Sequence, residues 1–196
     1  EQKEVFTMKW LVIGIAGATC SGKTTLAKKL HEELKNSILI NQDTYFRTED
    51  DPRHIHVPQL NHHNWDCLES LDMEKMHSDV LKILSEPQIQ SKGVKILIMD
   101  GFLLFNYRPI ADLCQFKYFI DLPYQECEKR RKARVYDPAD VPGYFELIVW
   151  PEYLRYKKEI ELDSALFDQI TYIDGTGDKD DIFKRVLKEI QQKLNS

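Results

Sequence analysis

The sequence is short of the features that mark several protein classes. Its 196 residues hold only four cysteines (Cys20, Cys67, Cys114 and Cys127), with no C-x-x-C pair and no disulfide-like spacing. Reduced thiols in a cytoplasmic protein are therefore expected. No apolar run is long enough for a membrane span, since WLVIGIAGA (10–18) is short and broken by glycine. No signal peptide is evident, because the charged start has no separate apolar stretch and cleavage site. Positive charge is not in excess either: 27 Lys and Arg against 32 Asp and Glu leave a net charge of −5, which argues against a general nucleic-acid binder. Repeats and low-complexity tracts are also absent. What remains is one domain's length of ordinary globular composition, enough for one sizeable core.

Short β-rich runs alternate with helical patterns, the signature of a parallel sheet covered by helices. Strands are expected over 9–16, 37–41, 94–100, 116–122 and 169–174, and the first and third are nearly continuous apolar runs, as buried central strands should be. Helices are expected over 23–35, 72–86, 124–134, 144–162 and 179–194. In the last, Ile182, Phe183, Val186, Leu187, Ile190 and Leu194 recur at helical spacing and read as core. Segments 43–66 and 135–143 have no clean period and read as elements covering a substrate.

The first definite chemistry is Gly17-Ala18-Thr19-Cys20-Ser21-Gly22-Lys23-Thr24, which fits the phosphate-loop pattern G-x-x-x-x-G-K-[ST]. A random chain of this length matches on the order of once in a hundred times, and here the match lies between an apolar strand and a helix, the context it needs. Gly17 and Gly22 allow tight turns, so that successive N–H groups form an anion nest at a helix N-terminus. Lys23 reaches the β- and γ-phosphates and the Thr24 hydroxyl coordinates Mg²⁺. Thr25, next in the loop region, reads as a first-turn helix residue rather than a second ligand. Cys20 reads as a small loop residue. Asp100, ending ILIMD, and Asp43, just past the strand ending ILIN, supply further hard oxygens for the metal at the carboxyl edge of the sheet.

A held triphosphate can lose its phosphate to water or to an acceptor. Transfer needs cationic cover and a carboxylate near the acceptor hydroxyl. Arg130, Arg131 and Arg134 in CEKRRKAR fall within an arc of about 100° on a helix, and planar, permanently charged guanidiniums suit phosphate oxygens. The alternative is a solvated basic face. VYDPADVPG follows directly, so helix and loop (about 127–143) could close as a lid that excludes water. Asp43 is the candidate general base.

Beyond these motifs, NQDTYF, WDCLESLDMEKM, DGFLLFNYRPI, YFIDLPYQECEKRRKARVY, PGYF with VWPEYLRY, and IDGT together resemble the nicotinamide riboside kinase family, in the uridine kinase-like branch of the P-loop kinases. The resemblance runs from about residue 9 to the last helix. It implies an α/β P-loop fold of about five parallel strands, and transfer of the γ-phosphate of ATP, with Mg²⁺, to the 5′-hydroxyl of a nicotinamide riboside. It places the base and metal-associated aspartate on Asp43, the ribose carboxylate on Asp66, nucleotide-side arginines on Arg130 and Arg134, a substrate-contacting arginine on Arg131 and a ring-stacking tyrosine on Tyr136. Phe46, in NQDTYF, joins the substrate set. Trp65 stands where family members carry tyrosine, and a ring face there suits a cationic pyridinium. For Asp66 a helix N-cap, and for Tyr136 a plug between lid and body, are the alternatives.

The chain departs from the family pattern at Glu146-Leu147-Ile148, where Asp-Gly-His is expected, and between Phe46 and Trp65. The pairs His54/His56 and His62/His63 read as exposed or lid histidines rather than metal ligands. Residues 1–8 read as an extension or expression remnant, and 9–196 as one domain. A small-molecule riboside and ATP are the expected partners of a cytoplasmic monomer, with no nucleic acid and no membrane. The rival readings are a uridine or cytidine kinase and a non-catalytic ATP-binding protein.

Overall fold

The five expected strands form one parallel sheet. The computed structural model describes residues 10–86 and 93–195, so the expected extension at 1–8 lies outside the described residues. In chain order the elements are β1 (Trp10–Gly17), α1 (Lys23–Glu33), β2 (Ser37–Asn41), β3 (His56–Val57), β4 (His62–His63), α2 (Met73–Ser85) and β5 (Lys95–Asp100). They continue with α3 (Arg108–Ala111), β6 (Phe116–Asp121), α4 (Tyr124–Lys132), α5 (Trp150–Leu162), α6 (Ser164–Phe167), β7 (Ile170–Asp174) and α7 (Lys179–Leu194). A π-helical turn, Phe145–Val149, leads into α5.

The sheet order is β2-β5-β1-β6-β7. β1 is central because it is apolar on both faces: Leu11 to Ala16 are all buried, as are Ile96 to Met99 of its neighbour β5. One face packs Val12, Leu97 and Met99 against Met76 and Val80 of α2 and Tyr156 and Ile160 of α5. The other packs Ile13, Ile15 and Ile98 against Leu26 and Leu30 of α1 and Val186 and Ile190 of α7. The helical spacing seen in α7 thus turns its apolar stripe inward, with Ile182, Phe183, Leu187 and Leu194 half-buried around that stripe.

Register carries the fold toward function. Gly17 pairs with Ile120, and Asn41 with Asp100, so the carboxyl ends of β1, β2, β5 and β6 finish along one edge. A parallel α/β sheet opens its crevice there. Among the described residues no helix is long and apolar enough to cross a membrane.

Segment 43–66 is more ordered than its lack of period suggests. It holds the antiparallel hairpin β3–β4, in which His56 pairs with His63 and Val57 with His62. Strands of two residues are too short to show an alternation.

Candidate active site

The phosphate loop folds as its glycines require. Gly17 has φ 134°, and a Cβ there would overlap the Ile120 carbonyl oxygen of the adjoining strand. Gly22, the N-cap of α1, has φ 99° in the left-handed region. Cys20 adopts φ 59°, uncommon for a residue with a side chain. Ala18 donates its N–H to Ile120 O at 3.0 Å, fixing the loop to β6, and the buried Ser21 hydroxyl meets no partner among the described residues. Lys23 folds back over the loop, its Nζ donating to Ala18 O at 2.5 Å. Burial holds the Lys23 pKa below its ordinary value, against the pull of Asp43 and Asp100. Thr25 is exposed in the first turn of α1 and does not line the cleft.

A cleft of about 620 Å³ opens above this loop, lined by Thr19, Cys20, Lys23, Thr24, Asp43, Phe46, Trp65, Asp66, Asp100, Arg131, Arg134 and Tyr136. Residues spread over more than a hundred positions of sequence thus share one space. Asp43 lines it just past β2, its own N–H donating to Asn41 Oδ1 at 2.7 Å. It is open to solvent in the cleft, yet enough protein surrounds it that desolvation raises its pKa, with Lys23 and Arg134 opposing. Asp100 is 1% exposed, and neither carboxylate oxygen meets a donor in good hydrogen-bonding geometry among the described residues. Burial raises its pKa, offset in part by the neighbouring Thr24 hydroxyl and Lys23. A buried carboxylate without donors beside a hydroxyl suits a hard divalent cation.

Asp66 accepts from the Tyr144 hydroxyl at 2.8 Å, and that hydroxyl in turn accepts from the Trp65 N–H at 2.8 Å. Burial raises the Asp66 pKa, while Arg131 and Tyr144 pull it down. Asp66 caps no helix; Asp72 caps α2 instead, accepting from Lys75 N. The N-cap alternative therefore falls.

The arginines do not form one phosphate-facing row. Helix α4 ends at Lys132, two residues earlier than expected, and Arg134 lies beyond it, exposed and lining the cleft. Arg130 stays outside the cleft lining, pairing with Glu126 at 2.6 Å and donating to Cys20 O at 3.3 Å and Gly175 O at 3.2 Å. Arg131 is buried, bidentate to Asp140 (2.6 and 2.9 Å), bonded to Thr19 Oγ1 at 3.1 Å and 3.8 Å from Asp66. Its guanidinium lies 4.4 Å from the Tyr136 ring centroid. Local carboxylates and rings, rather than helical phase, decide where each guanidinium points.

Comparison with known proteins decides the family. Residues 13–150 match the family model described as an AAA domain. Nicotinamide riboside kinase 1 of Rattus norvegicus is 43% identical, covering 95% of this chain and 97% of the relative. Nicotinamide riboside kinase 2 of Mus musculus is 39% identical, with 94% and 97% covered. The chain belongs to the nicotinamide riboside kinase family. A solved structure titled as a possible uridine kinase from Bacillus stearothermophilus superposes with a TM-score of 0.54 at 16% identity, over 87% of this chain and 91% of that one. That likeness shows the α/β fold.

Within the nicotinamide riboside kinase family this chain's departures now have places. Glu146 and Leu147 are exposed on the π-helical turn and Ile148 packs beside α4 and α5; none of the three lines the cleft. The histidines expected at the surface are mostly half-buried against the acceptor end, only His56 being exposed in the hairpin. Tyr144 and Asp140, which hold Asp66 and Arg131, escaped sequence reasoning. The one available signal was their place in the loop that follows the arginine helix.

Proposed function

We propose that the chain transfers the γ-phosphate of ATP to the 5′-hydroxyl of nicotinamide riboside, giving nicotinamide mononucleotide in NAD salvage. The observation that carries this reading is that Asp43 lines one cleft together with the phosphate-loop residues Lys23 and Thr24, with Asp100 at the end of β5, and with the acceptor residues Trp65, Asp66, Arg131 and Tyr136. The four shared features that a kinase of this kind needs are a phosphate nest, a base, a hydroxyl holder and a cover, and all fall in one cleft.

The chemistry follows from that arrangement. The backbone N–H groups of 17–22 and Lys23 take the donor phosphates, with Arg130 and Arg134 on the nucleotide side. Asp66 and Arg131 hold the ribose hydroxyls, and Phe46, Trp65 and Tyr136 offer ring surface to the pyridinium, whose positive charge a ring face attracts. Asp43 then orients the 5′-hydroxyl and receives its proton; desolvation raises its pKa, and a more basic carboxylate is the better proton acceptor. Thr24, Asp43 and Asp100 would hold Mg²⁺, which when bound neutralises charge on the transferring phosphate. The lid keeps water from competing with the hydroxyl.

The same reading takes nicotinic acid riboside as a second acceptor. It makes the working unit a monomer and places it in the cytoplasm, where its four free cysteines stay reduced. The test is ADP release with nicotinamide riboside, nicotinic acid riboside and uridine. A strong preference for uridine, or no ADP with any riboside, overturns the reading.

A further inference from the structure

The histidine hairpin has no role in the chemistry above, yet it packs on both residues that shape the acceptor end. The His54 ring lies 4.5 Å from the Trp65 ring, tilted by 57°. His63 stacks on His54 at 4.8 Å and 17°, and reaches Trp65 edge-on at 6.1 Å. His62 meets Tyr144 edge-on at 5.2 Å. None of these imidazoles lines the cleft, whereas Trp65 does. His54 and His63 therefore pack on the indole without lining the cleft themselves.

The indole has no polar anchor among the described residues. Its Nε1–H is buried and meets no acceptor among the described residues, so no polar bond fixes the ring about its side-chain torsions. Phe46 touches it edge-on at 6.0 Å from the cleft side. The indole also packs against the apolar cluster that includes Tyr144, Phe145 and Val149, and the ring nearest to it is His54, which is itself anchored. Its Nε2 lies 2.9 Å from Thr48 O, and a carbonyl oxygen can only accept, so Nε2 carries the proton. Its other nitrogen is buried without a partner among the described residues, so packing against Trp65 and His63 decides the ring's place.

We propose that His54, backed by His63, is a positioning residue that sets the Trp65 ring for a cationic riboside and so fixes acceptor specificity. This rests on the nicotinamide riboside reading and deepens it. The ring matters because it limits the orientations of the indole that lines the cleft, where an indole face attracts the pyridinium charge. A neutral pyrimidine gains less from that alignment, so the device discriminates as well as binds.

The experiment compares His54→Ala, His54→Phe and His54→Gln with the unaltered protein, measuring kcat and KM for nicotinamide riboside, uridine and ATP. His54→Ala is expected to raise KM for nicotinamide riboside roughly five- to tenfold, the worth of one aromatic contact expressed as a binding constant. Its kcat and its KM for ATP should stay within about twofold, and the uridine values should not follow. His54→Phe restores the ring and most of the affinity; His54→Gln offers an amide to Thr48 without a ring and behaves like His54→Ala. An unchanged riboside KM in His54→Ala, or a parallel rise in KM for ATP, overturns the proposal and leaves the nicotinamide riboside reading standing. An unaltered protein that does not phosphorylate nicotinamide riboside overturns both.

Discussion

Removing one oxygen atom from Tyr144 tests whether the acceptor end is built as a unit. Tyr144 is 1% exposed, and its hydroxyl both accepts from Trp65 N–H and donates to Asp66 Oδ2. In Tyr144→Phe the ring stays and both bonds go. A buried N–H left without a partner costs about 1–3 kcal/mol, and a lost hydrogen bond to a charged group about 1.5–3 kcal/mol. The two losses pass through one group and do not simply add, so the variant should lose about 2–4 kcal/mol of stability, read from its denaturant midpoint. The pH profile gives the second readout. Asp66 must be ionised to accept from two ribose hydroxyls, so KM for the riboside rises as pH falls through its folded pKa. That pKa is raised by burial and lowered by Arg131 and Tyr144. Loss of the Tyr144 hydroxyl removes one lowering influence, so the acidic limb moves to higher pH while KM for ATP keeps its profile. A stability loss below about 0.5 kcal/mol, less than half of one orphaned group, would refute the reasoning. So would an unmoved acidic limb.

Three further outcomes are expected. Asp43→Ala should lower turnover by roughly 10²–10⁴-fold with nucleotide affinity kept, since a positioned base contributes about that much; near-normal turnover sinks the assignment. Gly17→Ala introduces a Cβ that overlaps Ile120 O and demands φ 134° of an L-residue, so the loop must shift; calorimetry should show ATP affinity falling at least about fivefold, given strain of about 1–3 kcal/mol. Asp140→Ala removes the bidentate partner of Arg131 and loosens the lid, so ADP release without acceptor should rise relative to transfer, and an unchanged ratio would show that the pair does not exclude water.

The sheet was legible because its strands are aliphatic runs bounded by turns: β2 spans the expected residues, and β5 starts one residue late. The lid helix was less so. A charge run such as EKRRKAR carries no apolar period, and nothing in it marks the stop after Lys132. Lys23, Thr24 and Asp100 were readable from a motif and a strand end, since their geometry is local. Tyr144 and Asp140 were not, because their partners are set by the return of a loop: Tyr144 meets Asp66 across 78 positions of sequence. The hairpin β3–β4 was hidden for another reason, its two-residue strands giving too few positions for a pattern.

The phosphate loop's pattern leaves four positions free between Gly17 and Gly22, and two of them explain why this loop serves transfer. Thr19 Oγ1 accepts from Arg131, which stands 3.8 Å from Asp66, the proposed ribose carboxylate. Cys20 Sγ lies 3.2 Å from the hydroxyl of Tyr136, whose ring the same arginine covers. The donor loop is therefore bonded through side chains to the groups proposed to hold the acceptor. On that proposal, a shift of Arg131 or Tyr136 that misplaces the riboside also disturbs the loop proposed to hold the phosphate. A loop serving hydrolysis needs instead a residue that positions the attacking water.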